Sequence, residues 1–100
     1  MPSTKTYRDY ILEQLSDLPD LACRPMMGEF LLYSNGILFG GIYDDHLLIK
    51  PTPATTKYHL PKALPYPGAR PMYLANNPDD KTSLIAIVTS TIKDLEKIRL

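Results

Sequence analysis

Apolar and polar residues change rhythm along this chain in a way that divides it into elements. Tyr7, Tyr10, Ile11, Leu15 and Leu18 recur at the spacing of one helix face, which predicts a first helix over about residues 4–17. Thr6 followed three residues later by Asp9 has the form of a capping box, and Pro19 stops the helix because proline lacks a donor and clashes with the preceding turn. From Arg24 to Lys50 the apolar residues run nearly unbroken between two turn signals, Asn35-Gly36 and Asp44-Asp45. Asn-Gly is a strong hairpin signal because a type I′ turn needs positive φ at both central positions. This stretch reads as a three-stranded antiparallel meander, preceded by a short strand over 22–27 that Pro25 places at an edge, with a bend or bulge at Gly28.

If both loops are two residues long, Leu32 opposes Phe39, Leu31 opposes Gly40, Ile42 opposes Leu47 and Gly40 opposes Ile49. One face then carries Leu31, Tyr33, Leu38, Ile42, Leu47 and Ile49, the other Phe30, Leu32, Ile37, Phe39, Tyr43 and Leu48. Both faces are apolar, so both need cover. The helices shield one; the other requires a loop, a ligand or a second copy of the chain.

Beyond Lys50, the prolines at 51, 53, 61, 65, 67 and 71 break up the chain, leaving room for a helical turn or two over 54–58. The segment reads as an ordered loop whose Tyr58, Leu60, Leu64 and Tyr66 wrap against the exposed sheet face. Pro67-Gly68 is a turn, and residues 69–75 form a last strand. Asn77-Pro78-Asp79-Asp80 opens the final helix, with Asn77 as cap and Leu84, Val88, Thr91, Ile92 and Leu95 as its apolar stripe. Asp94 and Lys97 face solvent as a pair. The predicted fold is a single α+β domain over 1–100, two layers, with an antiparallel sheet packed against N- and C-terminal helices.

Composition narrows the function. Eleven basic and eleven acidic residues cancel, and there is no basic run, which argues against direct nucleic-acid binding. The single cysteine, Cys23, has no intrachain partner, the N-terminus lacks a signal-peptide core, and no apolar run spans a bilayer; these predict a cytoplasmic protein with no membrane contact.

Candidate chemistry is sparse. Cys23 has no histidine near it in sequence, and His46 and His59 lack metal-ligand spacing, so neither a catalytic residue, a metal nor a cofactor is assigned. Asp44 and Asp45 read as turn residues rather than a paired acid and base. Gly40-Gly41 lies inside a strand, without the loop-to-helix context of a phosphate loop. Lys50 and Arg24 are the cations nearest the sheet, available to an anionic ligand or, more simply, to Glu29 or Asp45.

With those residues in place, the chain resembles the TfoX N-terminal-domain family. The likeness rests on R-x-M-M-G-E at Arg24 to Glu29, F-L-L-Y-S-N-G at Phe30 to Gly36, G-G-I-Y-D-D-x-L-L-x-K at Gly40 to Lys50, and L-P-Y-P-G-A at Leu64 to Ala69. Pro25 departs from the basic residue usual in the first motif. The resemblance implies a secretion-chaperone-like α/β fold, no enzyme activity, and a link to transcriptional control of natural competence.

Two functions follow as expectations. The first is a non-enzymatic regulatory or protein-interaction module that forms a homodimer through the meander, with Phe30, Leu32, Phe39, Gly40 and Gly41 at the interface. The alternative is a small-molecule-binding protein or modest enzyme. Its pocket would lie between the proline-rich loop and the sheet, lined by Arg24, Tyr43, Lys50, Tyr58 and Tyr66.

Overall fold

A computed structural model describes residues 3–99. In chain order the elements are α1 (Lys5–Gln14), β1 (Leu21–Met26), β2 (Glu29–Ser34), β3 (Ile37–Tyr43), β4 (His46–Ile49), α2 (Pro53–Thr56), β5 (Lys62–Ala63), β6 (Met72–Leu74) and α3 (Lys81–Arg99). The fold is the expected α+β type: one antiparallel sheet in the order β1-β2-β3-β4-β6-β5, with helices near the two ends of the chain. The two-residue β5 is an addition to the predicted strands.

The first four strands form a meander closed by three two-residue turns. Both central residues have positive φ in each: 51° and 85° at Met27-Gly28, 52° and 76° at Asn35-Gly36, 51° and 55° at Asp44-Asp45. That is the type I′ signature, whose twist matches the flanking strands. Asn and Asp tolerate the left-handed region because their short side chains bond locally. Gly28, read as a bend or bulge, therefore belongs to a hairpin turn that joins the edge strand β1 to β2.

The predicted register holds between β3 and β4, where Ile42 opposes Leu47 and Gly40 opposes Ile49. Between β2 and β3 it fails by one residue. Tyr33 pairs with Leu38, but Leu32 pairs with Gly40 and Leu31 with Gly41, so Phe39 is the extra residue of a β-bulge. An inserted residue reverses the alternation that follows it. Ile42, Leu47 and Ile49 accordingly join Phe30, Leu32, Ile37 and Phe39 on the buried face, instead of sharing a face with Leu31, Tyr33 and Leu38.

This inner face packs against Ile11 of α1, Leu15 just beyond its end, and Leu84, Ile87, Val88 and Ile92 of α3. Phe39, Leu32 and Ile42 are fully buried there, and truncating such a side chain to alanine removes about 2–5 kcal/mol. Ser34, the polar residue in this row, donates its hydroxyl to the Pro19 carbonyl at 2.6 Å.

The first helix starts where the sequence pattern predicts but on a different cap, and the last starts later than predicted. Thr4, not Thr6, caps α1, accepting the Tyr7 N–H at 3.1 Å. The choice is tertiary: the Thr4 N–H and hydroxyl also reach the Asp45 carboxylate, at 2.8 and 3.2 Å. In α3 the Asp80 carboxylate accepts from Ser83 N–H at 3.2 Å, so the cap lies three residues beyond Asn77. The intervening turn is held by α1, whose Gln14 amide donates to the Pro78 carbonyl and whose Tyr10 hydroxyl bonds Asp79.

The short α2 is anchored from below. Thr52 caps it, accepting the Thr55 N–H at 3.2 Å, and the buried Thr55 hydroxyl lies within bonding reach of Thr52, Thr91 and the Lys50 carbonyl. Asp94 of α3 accepts the Ala54 N–H at 2.7 Å. That bond, first among several causes, holds the Asp94 carboxyl below its ordinary value. Its expected solvent-side role with Lys97 is therefore shared with a contact to the helix start, where a negative charge meets exposed N–H groups. Among the described residues no helix is long and apolar enough to cross a membrane.

Candidate ligand-binding cleft

The outer face of the sheet carries Leu31, Tyr33, Leu38, Tyr43 and Leu48, opposite the helices. Its cover is the chain between β5 and β6. Ala63 pairs directly with Met72, so residues 64–71 are the loop of a hairpin that turns back over the sheet. The loop is shaped by Pro65, Pro67 and Pro71, by Gly68 at φ 85°, and by a turn in which Ala69 N–H donates to the Tyr66 carbonyl at 3.1 Å. Leu48 is sealed, but Leu31, Leu38 and Tyr43 remain only half-buried.

Between loop and sheet lies a cleft of about 650 Å³. Its floor includes Leu31, Leu38 and Met72, its walls Tyr43 and Tyr66, and its charged groups are Lys50 and Arg70. A smaller hollow of about 280 Å³ adjoins it, sharing Tyr43 and Pro65 and reaching His46 and Leu64. Clefts of roughly 300–1,000 Å³ with apolar walls and a few placed polar groups are the usual form of small-ligand sites.

Three of the five expected pocket residues meet here: Tyr43, Lys50 and Tyr66. Arg24 does not; it stacks over the Tyr33 ring at 5.7 Å on the β1 side of the sheet. Tyr58 does not either. It projects toward α3, its hydroxyl 3.2 Å from Ser90, beside a separate hollow of about 130 Å³ that also involves Leu60 and Leu84. The predicted wrapping of the outer face is thus carried by the chain after Ala63, while Tyr58 and Leu60 belong to the helix side. Leu64 and Tyr66 stay more than half exposed, at 54% and 58%.

The residues expected at a dimer interface are also placed differently. Phe30, Leu32 and Phe39 point into the helix-covered core, with exposures of 8%, 0% and 0%. The bulge and the helices leave these side chains no surface to offer a second copy. Gly40 and Gly41 are buried as well, and Gly40 borders the cleft.

The acids near the sheet are engaged, though not with Lys50 or Arg24 as the simple pairing would have it. Glu29 accepts from the Ser3 N–H and hydroxyl at 2.9 and 2.6 Å and from the Asp44 N–H at 3.1 Å. Asp45 holds Thr4. Together they clip the start of the chain to the β3–β4 turn, a structural use of carboxylates. Among the described residues, neither the Lys50 nor the Arg70 side chain has a hydrogen-bond or ion-pair partner.

Burial, then the nearby Tyr66, Glu29 and Tyr33, pushes the Tyr43 phenol up, away from the range useful to a general acid or base near neutrality. Cys23 lies on the helix side, next to Arg8 and Phe30, and burial raises its thiol despite Arg8, the reverse of what an activated nucleophile needs. No cluster of three or more His, Cys, Asp or Glu able to hold a metal occurs among the described residues.

Leu31, Leu38, Arg70 and Met72 are cleft residues that the sequence reading passed over. The leucines sit on a face then assigned Ile42, Leu47 and Ile49 as well. Arg70 follows a recognised Pro-Gly turn, but only the Ala63–Met72 pairing brings it toward Lys50. No family model matches the chain, and no curated protein sequence matches it significantly.

Proposed function

We propose that this chain is a non-enzymatic ligand-binding module of regulatory type, and that its working site is the cleft between the proline-rich loop and the outer face of the sheet. One observation carries the reading: an apolar floor, two tyrosine walls and two cations with no side-chain partner among the described residues converge in one cleft of about 650 Å³. The lining contains no carboxylate, imidazole or thiol, so it supplies groups that hold and orient a ligand.

The resemblance to the TfoX N-terminal-domain family supports a regulatory role. Its motifs at Gly40 to Lys50 and Leu64 to Ala69 contribute Gly40, Tyr43 and Lys50 from the sheet and Pro65, Tyr66 and Gly68 from the loop. A second reading, a protein-interaction module or homodimer, is favoured by exposed Leu64 and Tyr66 at the rim. In that form the outer face, not the Phe30–Phe39 face, is the contact surface.

A thermal-shift screen against metabolites and nucleotides tests the primary reading. At a hundred times Kd a ligand stabilises by about 2.7 kcal/mol, which raises Tm by about 10 °C or more in a domain of this size. The expected hit stabilises the wild type and not Leu38→Trp, which fills the floor. No hit, or equal stabilisation of both proteins, overturns the reading. Light scattering with wild type and Tyr66→Ser tests the second: a dimer mass that the substitution abolishes supports self-association, and a monomer in both excludes it.

A further inference from the structure

We propose that the cleft takes an anion, a carboxylate or phosphate group carried on a flat apolar body, with Lys50 and Arg70 meeting the charge and Tyr43 and Tyr66 flanking the body. The proposal rests on the cleft being a binding site and adds the chemical class of what binds.

The charge pattern is the first argument. The chain as a whole balances eleven cations with eleven anions, yet the cleft lining carries Lys50 and Arg70 and no acid. Of the acids at the β3–β4 end, Glu29 is bonded to Ser3 and the Asp44 N–H and Asp45 to Thr4, and Asp44 borders the adjoining hollow. Two like charges in the cleft lining, with no acid beside them in that lining, make a local positive potential that an entering anion relieves.

The second argument is preorganisation. Lys50 is fixed at its backbone from both sides: its N–H donates to the Phe39 carbonyl at 2.9 Å, and its carbonyl accepts from the buried Thr55 hydroxyl at 3.2 Å. Arg70 stands between the Tyr66–Ala69 turn and Pro71, where proline restricts the backbone. The backbone is thus constrained at Lys50 and beside Arg70, so association has chiefly the two side chains to order.

The third argument concerns the body of the ligand. Leu31, Leu38 and Met72 offer apolar surface beside the charged groups, and Gly40 and Gly68 add no side chain to the space. Tyr66 is near enough to Tyr43 to help push its phenol up, and both rings line the space. A bare inorganic anion leaves that surface unused; an aromatic carboxylate or a nucleoside monophosphate does not.

Titration of the 15N-labelled chain with matched probes tests this. 2-Naphthoate and adenosine 5′-monophosphate carry the two anionic groups, and 2-naphthalenemethanol and adenosine are their neutral counterparts. At least one anion is expected to shift the amide signals of Gly40, Lys50, Gly68 and Arg70 saturably. Its affinity should fall by about tenfold or more in Lys50→Gln, in Arg70→Gln and for the neutral counterpart, the scale of a lost charged hydrogen bond. Naphthoate binding alone assigns a carboxylate, and the monophosphate alone a phosphate. Arg24→Gln, a cation outside the cleft, should leave affinity unchanged; an equal loss there overturns the assignment to Lys50 and Arg70. Equal binding of charged and neutral probes at the cleft overturns the anion proposal while leaving the cleft a binding site. No cleft shift with any probe overturns the anion proposal, and the binding reading is then decided by the library screen.

Discussion

Gly41 shows how little room a single position of this sheet allows. A Cβ placed there would lie 2.7 Å from the Phe30 carbonyl oxygen and 2.8 Å from the Tyr43 ring. The ring could turn aside, but the carbonyl is part of the β2 ladder, where Leu31 pairs with Gly41 and Phe30 with Ile42. Gly41→Ala must therefore move one strand relative to its neighbour, and overpacking of that kind costs about 1–3 kcal/mol. Urea unfolding should show a lowered midpoint with an unchanged slope. A midpoint equal to wild type would mean the backbone contact is softer than the geometry implies. The same residue also sets the position of Tyr43, so the substitution is expected to disturb the cleft wall before it disturbs the helix-covered core.

At the scale of elements, most of the fold was legible because the signals are local. Asn35-Gly36 and Asp44-Asp45 fix their turns through backbone φ, and the apolar stripe of α3 is written at helical spacing. What could not be read is what depends on distant contacts. The bulge at Phe39 reassigns the facing of Ile42, Leu47 and Ile49, and the glycine pair beside it was the one local hint. Asn77 looks like a helix cap, yet Gln14 and Tyr10 of α1 hold the turn that follows it and the helix begins after Asp80. Tyr58 and Tyr66 are expected on one face, yet one ends at α3 and the other at the cleft, a division set by the path of the chain between them. The short α2 is a further case, since it is held to α3 by Asp94 as well as by the Thr55–Thr91 contact. The bond from Ala54 N–H favours the ionised carboxylate, so the folded pKa is depressed. Its stabilising contribution is whole above the ordinary value of 3.8 and is lost as pH falls through the depressed one. Asp94→Asn should be less stable than wild type at neutral pH, and the gap should close on acidification below 3.8. Denaturant midpoints of both proteins across that range check this; a gap independent of pH would assign the effect to packing instead.

For the whole molecule the question is what shields the second apolar face of a sheet whose first face is already under helices. The sequence leaves a loop, a ligand and a second copy as candidates, and the structure places residues 64–71 over that face. Because Ala63 and Met72 already pair, the loop can be replaced by Asn-Gly, a two-residue turn that closes the same hairpin. Shortening the loop recovers about 1 kcal/mol of closure entropy. Against this stands the uncovering of Leu31, Leu38 and Leu48, each worth at most about 1.5–3 kcal/mol when fully buried. The core formed by Phe39, Leu32, Ile42, α1 and α3 lies on the other side of the sheet, so it should survive the exchange. The shortened chain is therefore expected to keep its far-ultraviolet spectrum and cooperative unfolding while binding a hydrophobic dye and rising in mass by light scattering. A shortened chain that remains monomeric and dye-free would show that this face needs no cover. One that fails to fold would make the loop part of the core rather than its lid, and the cleft beneath it a packing gap rather than a site.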